Sequence, residues 1–292
     1  MLDRIKGGLF GVAIGDALGG TTEFLKEAEV KRQYGTVTEI IGGGYWDLQP
    51  GDTTDDTAMT IAVAKGIIAS PDDPIHEIGE QFIQWKNTDP KDIGNIIATT
   101  FHFFRDDWYD AAKLAHDELN GMSAGNGSLM RCLPVALAYT DFNKVKDVTE
   151  KQSNMTHYDQ VAREACVIYN AIALRVLNGE DLHKTILSEI RNTRYDLNYN
   201  QEPMCSPDGY VVHTFQWVLY WLLNEDSFEN VVIGAANKGG DSDTIAAIAG
   251  GLKGIEVGFS KIPEKYCSVL VCKDELIVLA RKLYDIREGN SS

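Results

Sequence analysis

Two stretches of this chain, Ala58 to Ile68 (AMTIAVAKGII) and Ile245 to Leu252 (IAAIAGGL), are apolar almost all round. A helix of that kind has no face to give to water, so it belongs in the middle of a bundle. Each stretch is preceded by acids: Thr54-Asp55-Asp56 before the first, Asp241-Ser242-Asp243-Thr244 before the second. Acids in a first helical turn gain about 0.3–1 kcal/mol from the helix dipole, and Thr54 suits the N-cap. The start of a buried helix is itself expected to be buried, however, and adjacent buried carboxylates repel and lose hydration. The two junctions therefore read either as capped helix starts or as facing halves of a site for hard divalent cations, which favour carboxylate and hydroxyl oxygens. Spacing leaves both readings open. Asp52, in the same PGDTTDDTAMT segment, has no assigned role.

The rest of the chain has helical periodicity. Apolar residues fall on one stripe from Val161 to Leu177, Asn178-Gly179 stops it, and Asp181 can start another helix reaching about Ile190. Ile75 to Trp85, Val211 to Leu223, Phe228 to Asn237 and Leu276 to Ile286 repeat the pattern. The best strand candidates, Val37 to Ile41 and Val269 to Val271, are short and isolated, so the expected fold is all-α. Gly8, Gly11, Gly15 and Gly19 would form a smooth stripe on an N-terminal helix, and Gly250, Gly254 and Gly258 another near the far end. Glycine costs a helix about 1 kcal/mol relative to alanine, which close helix packing must offset. Loops are expected at Thr22 to Thr53, Thr88 to Asp92, Asn120 to Gly127 and Asn198 to Gly209, and fraying at Glu288 to Ser292. None resembles a linker, so residues 1–292 are expected to form one compact domain.

The balance of 27 basic to 43 acidic residues, a net charge of −16, disfavours nucleic acid and anionic membranes as partners. Asp16 interrupts the apolar N-terminal run, which also lacks a small-residue cleavage pattern, against a signal peptide. Five scattered cysteines without a C-x-x-C pair read as buried thiols of a reducing compartment. A cytoplasmic monomer is expected.

A third junction, SAGNGSLMRCLPVAL, places Gly125-Asn126-Gly127-Ser128 before an apolar helix, where backbone N–H groups can take an anion. It lacks the Gly-Lys-Ser/Thr of a nucleotide-triphosphate loop and the preceding strand of a dinucleotide fingerprint. Asn154-Met155-Thr156-His157 similarly precedes the Val161 helix. Asp241-Ser242-Asp243-Thr244 looks like the haloacid dehalogenase nucleophile motif without its strand. Asp55-Asp56 looks like a prenyl-transfer motif whose further acid is replaced by Met59 and Thr60.

Taken in order, these segments resemble the ADP-ribosylglycohydrolase family, including its dinitrogenase reductase-activating members. The matching motifs are GxxxGxAIGDALG (Gly7 to Gly19) with Glu23-Phe24, TDDT (Thr54 to Thr57), GNGSLMR (Gly125 to Arg131), Thr156-His157, GYVVHTFQWVLYWL (Gly209 to Leu222) and GGDSDTIAAIAGG (Gly239 to Gly251). The resemblance implies a compact, all-helical, single-domain bundle with a central dimetal cleft between buried helices. It implies two divalent cations, Mg²⁺ or Mn²⁺, held by Thr54, Asp55, Asp56, Asp241, Asp243 and Thr244. Glu23 and Asp55 would act in catalysis. Gly125, Asn126, Gly127 and Ser128 would receive diphosphate and ribose, with His157 and Tyr210 on the ADP side. The activity implied is hydrolysis of the bond between ADP-ribose and an acceptor, such as arginine of an ADP-ribosylated protein. Cleavage of another small or O-linked ADP-ribosyl compound, or a non-catalytic binding or structural role, are the competing expectations. Some arginine-specific relatives carry an acid just before the Gly-Asn-Gly turn. Asn120, Met122 and Ser123 stand there in this chain, so either the leaving group differs from arginine or Glu23 acts alone.

Overall fold

The computed structural model describes residues 1–289; residues 290–292, the end of the tail expected to fray, lie outside the described residues. In chain order the helices are α1 (Leu2–Gly19), α2 (Glu27–Tyr34), α3 (Asp55–Ala69), α4 (Ile75–Lys86), α5 (Asn95–Phe103), α6 (Trp108–Glu118), α7 (Leu133–Ala138) and α8 (Phe142–Asn154). There follow α9 (Gln160–Leu177), α10 (Leu182–Glu189), α11 (Val211–Asn224), α12 (Phe228–Asn237), α13 (Ser242–Val257), α14 (Glu264–Val269) and α15 (Lys273–Arg287). Among the described residues there is no sheet, only isolated bridges at Lys26–Gly239, Gly43–Leu48 and Gly125–Tyr210. The two strand candidates are thereby corrected. Val37 to Ile41 is irregular chain, and Val269 ends α14.

The apolar helices are central, as their sequences require. All but two residues of α13, Glu256 and Val257, are buried, and α1 is buried from Gly7 to its end. The two run antiparallel, with Gly7 opposite Gly254, Gly11 opposite Gly250, Gly15 opposite Ala246 and Gly19 opposite Asp243. A Cβ on Gly11 would lie 2.0 Å from the Gly250 carbonyl oxygen, and one on Gly250 would lie 2.3 Å from that of Gly11. The stripe differs in detail from expectation. Gly7 rather than Gly8 makes the backbone approach, because Gly8 faces the side chains of Ile255 and Leu133. Gly258 lies beyond the contact and caps α13 at φ +81°.

This contact makes a direct prediction. Gly11→Ala should cost about 2–3 kcal/mol, because two backbones must separate to admit the methyl group. Thermal denaturation should show it. Gly94→Ala, whose Cβ would meet nothing closer than 3.9 Å, should stay within about 0.5 kcal/mol of the parent.

Helices α2, α5, α6 and α8 were not expected from periodicity. In α2 only Val30 is buried and in α5 only Ile97 and Thr100, so neither shows a stripe long enough to read. Packing α1 antiparallel to α13 brings the C-terminal end of α1 to the N-terminal ends of α13 and α3, where the acids are.

Candidate metal centre and cleft

The way these helices begin separates two classes. Helices α6, α8, α9, α10 and α12 are capped by their own Asp107, Asp141, Asp159, Asp181 and Ser227, whose side chains accept first-turn N–H groups. Helices α3 and α13 are not. Thr54 and Asp241 occupy their N-cap positions without a side-chain cap bond, which corrects the reading of Thr54 as a capping side chain. Asp16, reaching across from α1, does that work. Its Oδ2 accepts from the Thr57 N–H at 3.0 Å and the Thr57 hydroxyl at 2.5 Å. Its Oδ1 accepts from the Thr54 N–H and hydroxyl, each at 2.9 Å. With α3 capped from outside, Asp55 and Asp56 are left to face the cleft.

There they meet the head of α13. The Thr244 hydroxyl donates to Asp56 Oδ2 at 3.1 Å. The Thr54 hydroxyl lies 3.3 Å from Asp243 Oδ2 and 3.4 Å from Asp56 Oδ2. Asp241 Oδ2 accepts from the Asn126 side-chain amide, which also donates to Thr214 Oγ1 at 2.9 Å. The Gly239-Gly240 turn makes this approach possible. Both residues have positive φ, +74° and +66°, and a Cβ on either would strike a carbonyl oxygen, of Leu25 or Pro207. The turn is tied to the segment after Glu23 by Phe24 N–H to Gly240 O and Gly240 N–H to Leu25 O, each 2.8 Å.

Two further acids complete the group. Glu23, 5% exposed, accepts from the Trp46 indole N–H at 2.6 Å. Asp92, on the loop before α5, reaches the same place: Glu23, Asp92 and Asp243 each offer an oxygen within 4.8 Å of the others. Sequence reading missed Asp92, filed within a loop, and Asp16, noticed only as a break in an apolar run. For Asp16 a signal existed: a charged residue in a helix otherwise buried on every side requires a partner.

Electrostatically the cluster is unbalanced. Among the described residues, no ion pair reaches any of these acids. Asp56 Oδ1 and Asp243 Oδ1 are buried without any hydrogen-bond partner, an arrangement costly in a neutral interior. Burial, then neighbouring Asp241, pushes the Glu23 carboxyl up to about 8. Burial and Asp55 push Asp92 up to about 9. Asp92 and Asp55 are close enough for their carboxyls to share a proton. Burial leaves Asp55 and Asp241 at about 6 and raises Asp56 and Asp243. Hard cations in this ring would supply the missing positive charge and partners for the orphaned oxygens. The residues fit such a group.

The acids open onto a cleft of about 460 Å³, lined across from them by Gly125, Asn126, Gly127 and His157. The segment from Asn126 to Cys132 is a run of turns, and α7 starts only at Leu133. The Gly-Asn-Gly stretch is therefore not the helix N-terminus expected of it. Ser128, expected in the site, does not line the cleft: its hydroxyl turns inward to Ser153 at 2.8 Å and its carbonyl accepts from the Gln152 side chain at 3.2 Å. Tyr210, 42% exposed, pairs with Gly125 beside the cleft. His157 is held at the cleft wall by a directional chain. Arg131, buried and able only to donate, gives a hydrogen bond to Thr156 Oγ1 at 2.8 Å. The Thr156 hydroxyl in turn pairs with His157 Nδ1, also 2.8 Å away, which fixes the ring and turns Nε2 toward the glycine turn. Burial and Arg131 hold His157 neutral, its pKa lowered to about 3. A Cβ on Gly127 would sit 3.2 Å from Nε2, so glycine there keeps this nitrogen uncovered.

Comparison with known proteins agrees with the motif order. The family model for ADP-ribosylglycohydrolase matches residues 1–292. ADP-ribosyl-[dinitrogen reductase] glycohydrolase of Rhodospirillum rubrum is 32% identical over 275 residues, covering 94% of this chain and 92% of its own. ADP-ribosylarginine hydrolase Tri1 of Pseudomonas putida (strain GB-1) is 30% identical over 302 residues, covering 97% and 78%. A solved chain of an ADP-ribosylglycohydrolase-related protein complex superposes with a TM-score of 0.84 at 28% identity, covering 98% of each chain. The chain belongs to the ADP-ribosylglycohydrolase family, whose members hydrolyse glycosidic bonds to ADP-ribose.

Proposed function

We propose that this protein removes ADP-ribose from the arginine side chains of ADP-ribosylated proteins, using two divalent cations, Mg²⁺ or Mn²⁺. The observation that carries the reading is the ring of uncompensated carboxylates, two with orphaned oxygens, at one end of a cleft also lined by a glycine turn and a neutral histidine. Thr54, Asp55, Asp56, Asp241, Asp243 and Thr244 would hold the cations. Bound there, divalent cations supply Lewis-acid chemistry toward sugar hydroxyls and water. The chain's own groups do the rest. The Gly125–Gly127 turn and His157 Nε2 take the diphosphate and its ribose, and Tyr210 borders the ADP side. Trp46 occupies Glu23 Oε2, leaving Oε1 to carry a proton to or from the reacting bond. Asp92, raised by burial and by neighbouring Asp55, is a second proton carrier on the same side. Water adds its oxygen to the sugar C1″, the C1″–N bond breaks, and the departing guanidine leaves protonated.

Arginine is favoured by the relative named an ADP-ribosylarginine hydrolase, which is 30% identical. The reading includes action as a cytoplasmic monomer; no helix among the described residues is long and apolar enough to cross a membrane. The test is a panel of arginine-linked, serine-linked and small ADP-ribosyl substrates, each with Mn²⁺, Mg²⁺ or chelator. Release of ADP-ribose from the arginine linkage, abolished by chelation, is expected. Faster cleavage of another linkage would reassign the acceptor, and binding of ADP-ribose without turnover of any linkage would mark a non-catalytic member.

A further inference from the structure

Phe24, Tyr45 and Trp46 form a group that the fold does not explain. Phe24 is 58% exposed and Tyr45 is 70% exposed, yet the three rings stand edge to face, with centroids 5.0 Å (Phe24–Tyr45), 4.8 Å (Tyr45–Trp46) and 6.1 Å (Phe24–Trp46) apart. Phe24 is held at φ +64°, a left-handed conformation that a bulky residue adopts at a cost and that clusters at ligand sites. Its amide, bonded to Gly240 O, fixes it there. Trp46 is the residue bonded to Glu23 Oε2. Both Phe24 and Trp46 line the cleft. Trp46 also borders an adjoining recess of about 270 Å³ with Asp52 and Trp85, to which the Gly125–Ser128 turn contributes nothing. Phe24 follows Glu23 directly and Trp46 bonds it, so the wall adjoins the acids, and Trp46 carries it on into a recess that the glycine turn does not reach.

We infer that Phe24 and Trp46, buttressed by Tyr45, bind the acceptor's guanidinium and so make the enzyme selective for arginine over neutral linkages. The inference rests on the function proposed above and assigns its specificity. A guanidinium is planar, weakly hydrated and cationic; it stacks on aromatic faces, and its N–H fork pairs with a carboxylate. Glu23 and Asp92 place carboxyl oxygens beside the wall, and a guanidinium bound there would favour their ionised forms. Lys91 Nζ donates to the main-chain carbonyls of Trp46 and Asp47, at 3.2 and 3.1 Å, and so anchors the segment that carries the rings. A serine-linked acceptor carries no charge at the linkage and gains nothing from the rings beyond contact.

The test compares kcat/KM for arginine-linked and serine-linked ADP-ribose in wild type, Phe24→Leu, Tyr45→Leu and Phe24→Tyr. Leucine keeps apolar bulk and removes the π face; tyrosine keeps the face. The arginine-to-serine ratio should fall about tenfold in Phe24→Leu, from the usual strength of a shielded cation–π contact, fall less in Tyr45→Leu, and hold in Phe24→Tyr. A ratio unchanged by Phe24→Leu, or lost equally in Phe24→Tyr, overturns the inference. A second measurement titrates ethylguanidine and its neutral analogue ethylurea into protein saturated with ADP-ribose. Preference for ethylguanidine that disappears in Phe24→Leu supports the guanidinium wall even if no substrate turns over, an outcome that would defeat the proposed function alone. Equal binding of the two probes by a wild type that does cleave the arginine linkage defeats the wall and leaves the function standing.

Discussion

Asp243→Asn should silence turnover and, in the same molecule, raise the melting temperature of the cation-free protein. Asp243 is buried, its Oδ1 has no partner, and its neighbours Glu23, Asp56 and Asp241 carry the same sign. Asparagine spares the cation-free fold the cost of either ionising this buried carboxyl or holding on it a proton that the unfolded chain would release, a gain of about 1–3 kcal/mol. For a chain of this size that corresponds to roughly 2–5 °C. The cost falls on function. A cation that contributes about 4 kcal/mol to the transition state is worth about a thousandfold in rate, so kcat/KM should drop by about that factor or more. Melting curves in chelator and in Mn²⁺ separate the two effects. Wild type should gain about 3 kcal/mol when Mn²⁺ is a hundredfold above its dissociation constant, and the variant should gain little. A variant that melts lower than wild type in chelator, or keeps the full Mn²⁺ response, would show that Asp243 is a structural residue. The expectation is a case of stability forgone for activity.

How much of this was legible beforehand depended on whether a residue's role shows in its own segment. The heads of α3 and α13 were legible because a helix apolar on every face cannot bury Asp55-Asp56 or Asp241 and Asp243 without reason. The α1–α13 seam was legible because glycines at helical spacing have no other use inside a buried helix, although the choice of Gly7 over Gly8 depends on rotation about the helix axis, which spacing does not specify. Asp16 was not legible as a cap because it caps a helix starting 39 positions later in the chain. Thr54 is misread for the matching reason: its local pattern is that of an N-cap, and the competing acceptor, Asp16, lies on α1. Asp92 sits in a loop with no periodicity, and only the fold brings it within reach of Glu23. Helices such as α2, which bury a single residue, owe their position to neighbours rather than to a stripe of their own.

The same cluster fixes how stability depends on pH, with a sign opposite to that of most acidic proteins. Folding raises Glu23 from 4.5 to about 8, Asp92 from 3.8 to about 9, and Asp55 and Asp241 from 3.8 to about 6. A carboxyl raised on folding contributes stability that is complete below its unfolded value and is lost as pH climbs through the folded value, because the folded state must then ionise without compensation. In chelator, therefore, the melting temperature should fall steadily from about pH 5 to about pH 9, by roughly 10 °C if the raised groups together contribute several kcal/mol. Cations reverse the slope. They bind ionised carboxylates and displace protons, so the Mg²⁺- or Mn²⁺-induced gain should grow across the same window and be largest near pH 9. Measuring both curves on one protein isolates the cluster, since the exposed acids titrate alike with and without cation. A cation-free curve that rises toward pH 9, or a cation-induced gain that shrinks with pH, would mean that these carboxylates are compensated within the chain, and the case for a metal centre would fall with it.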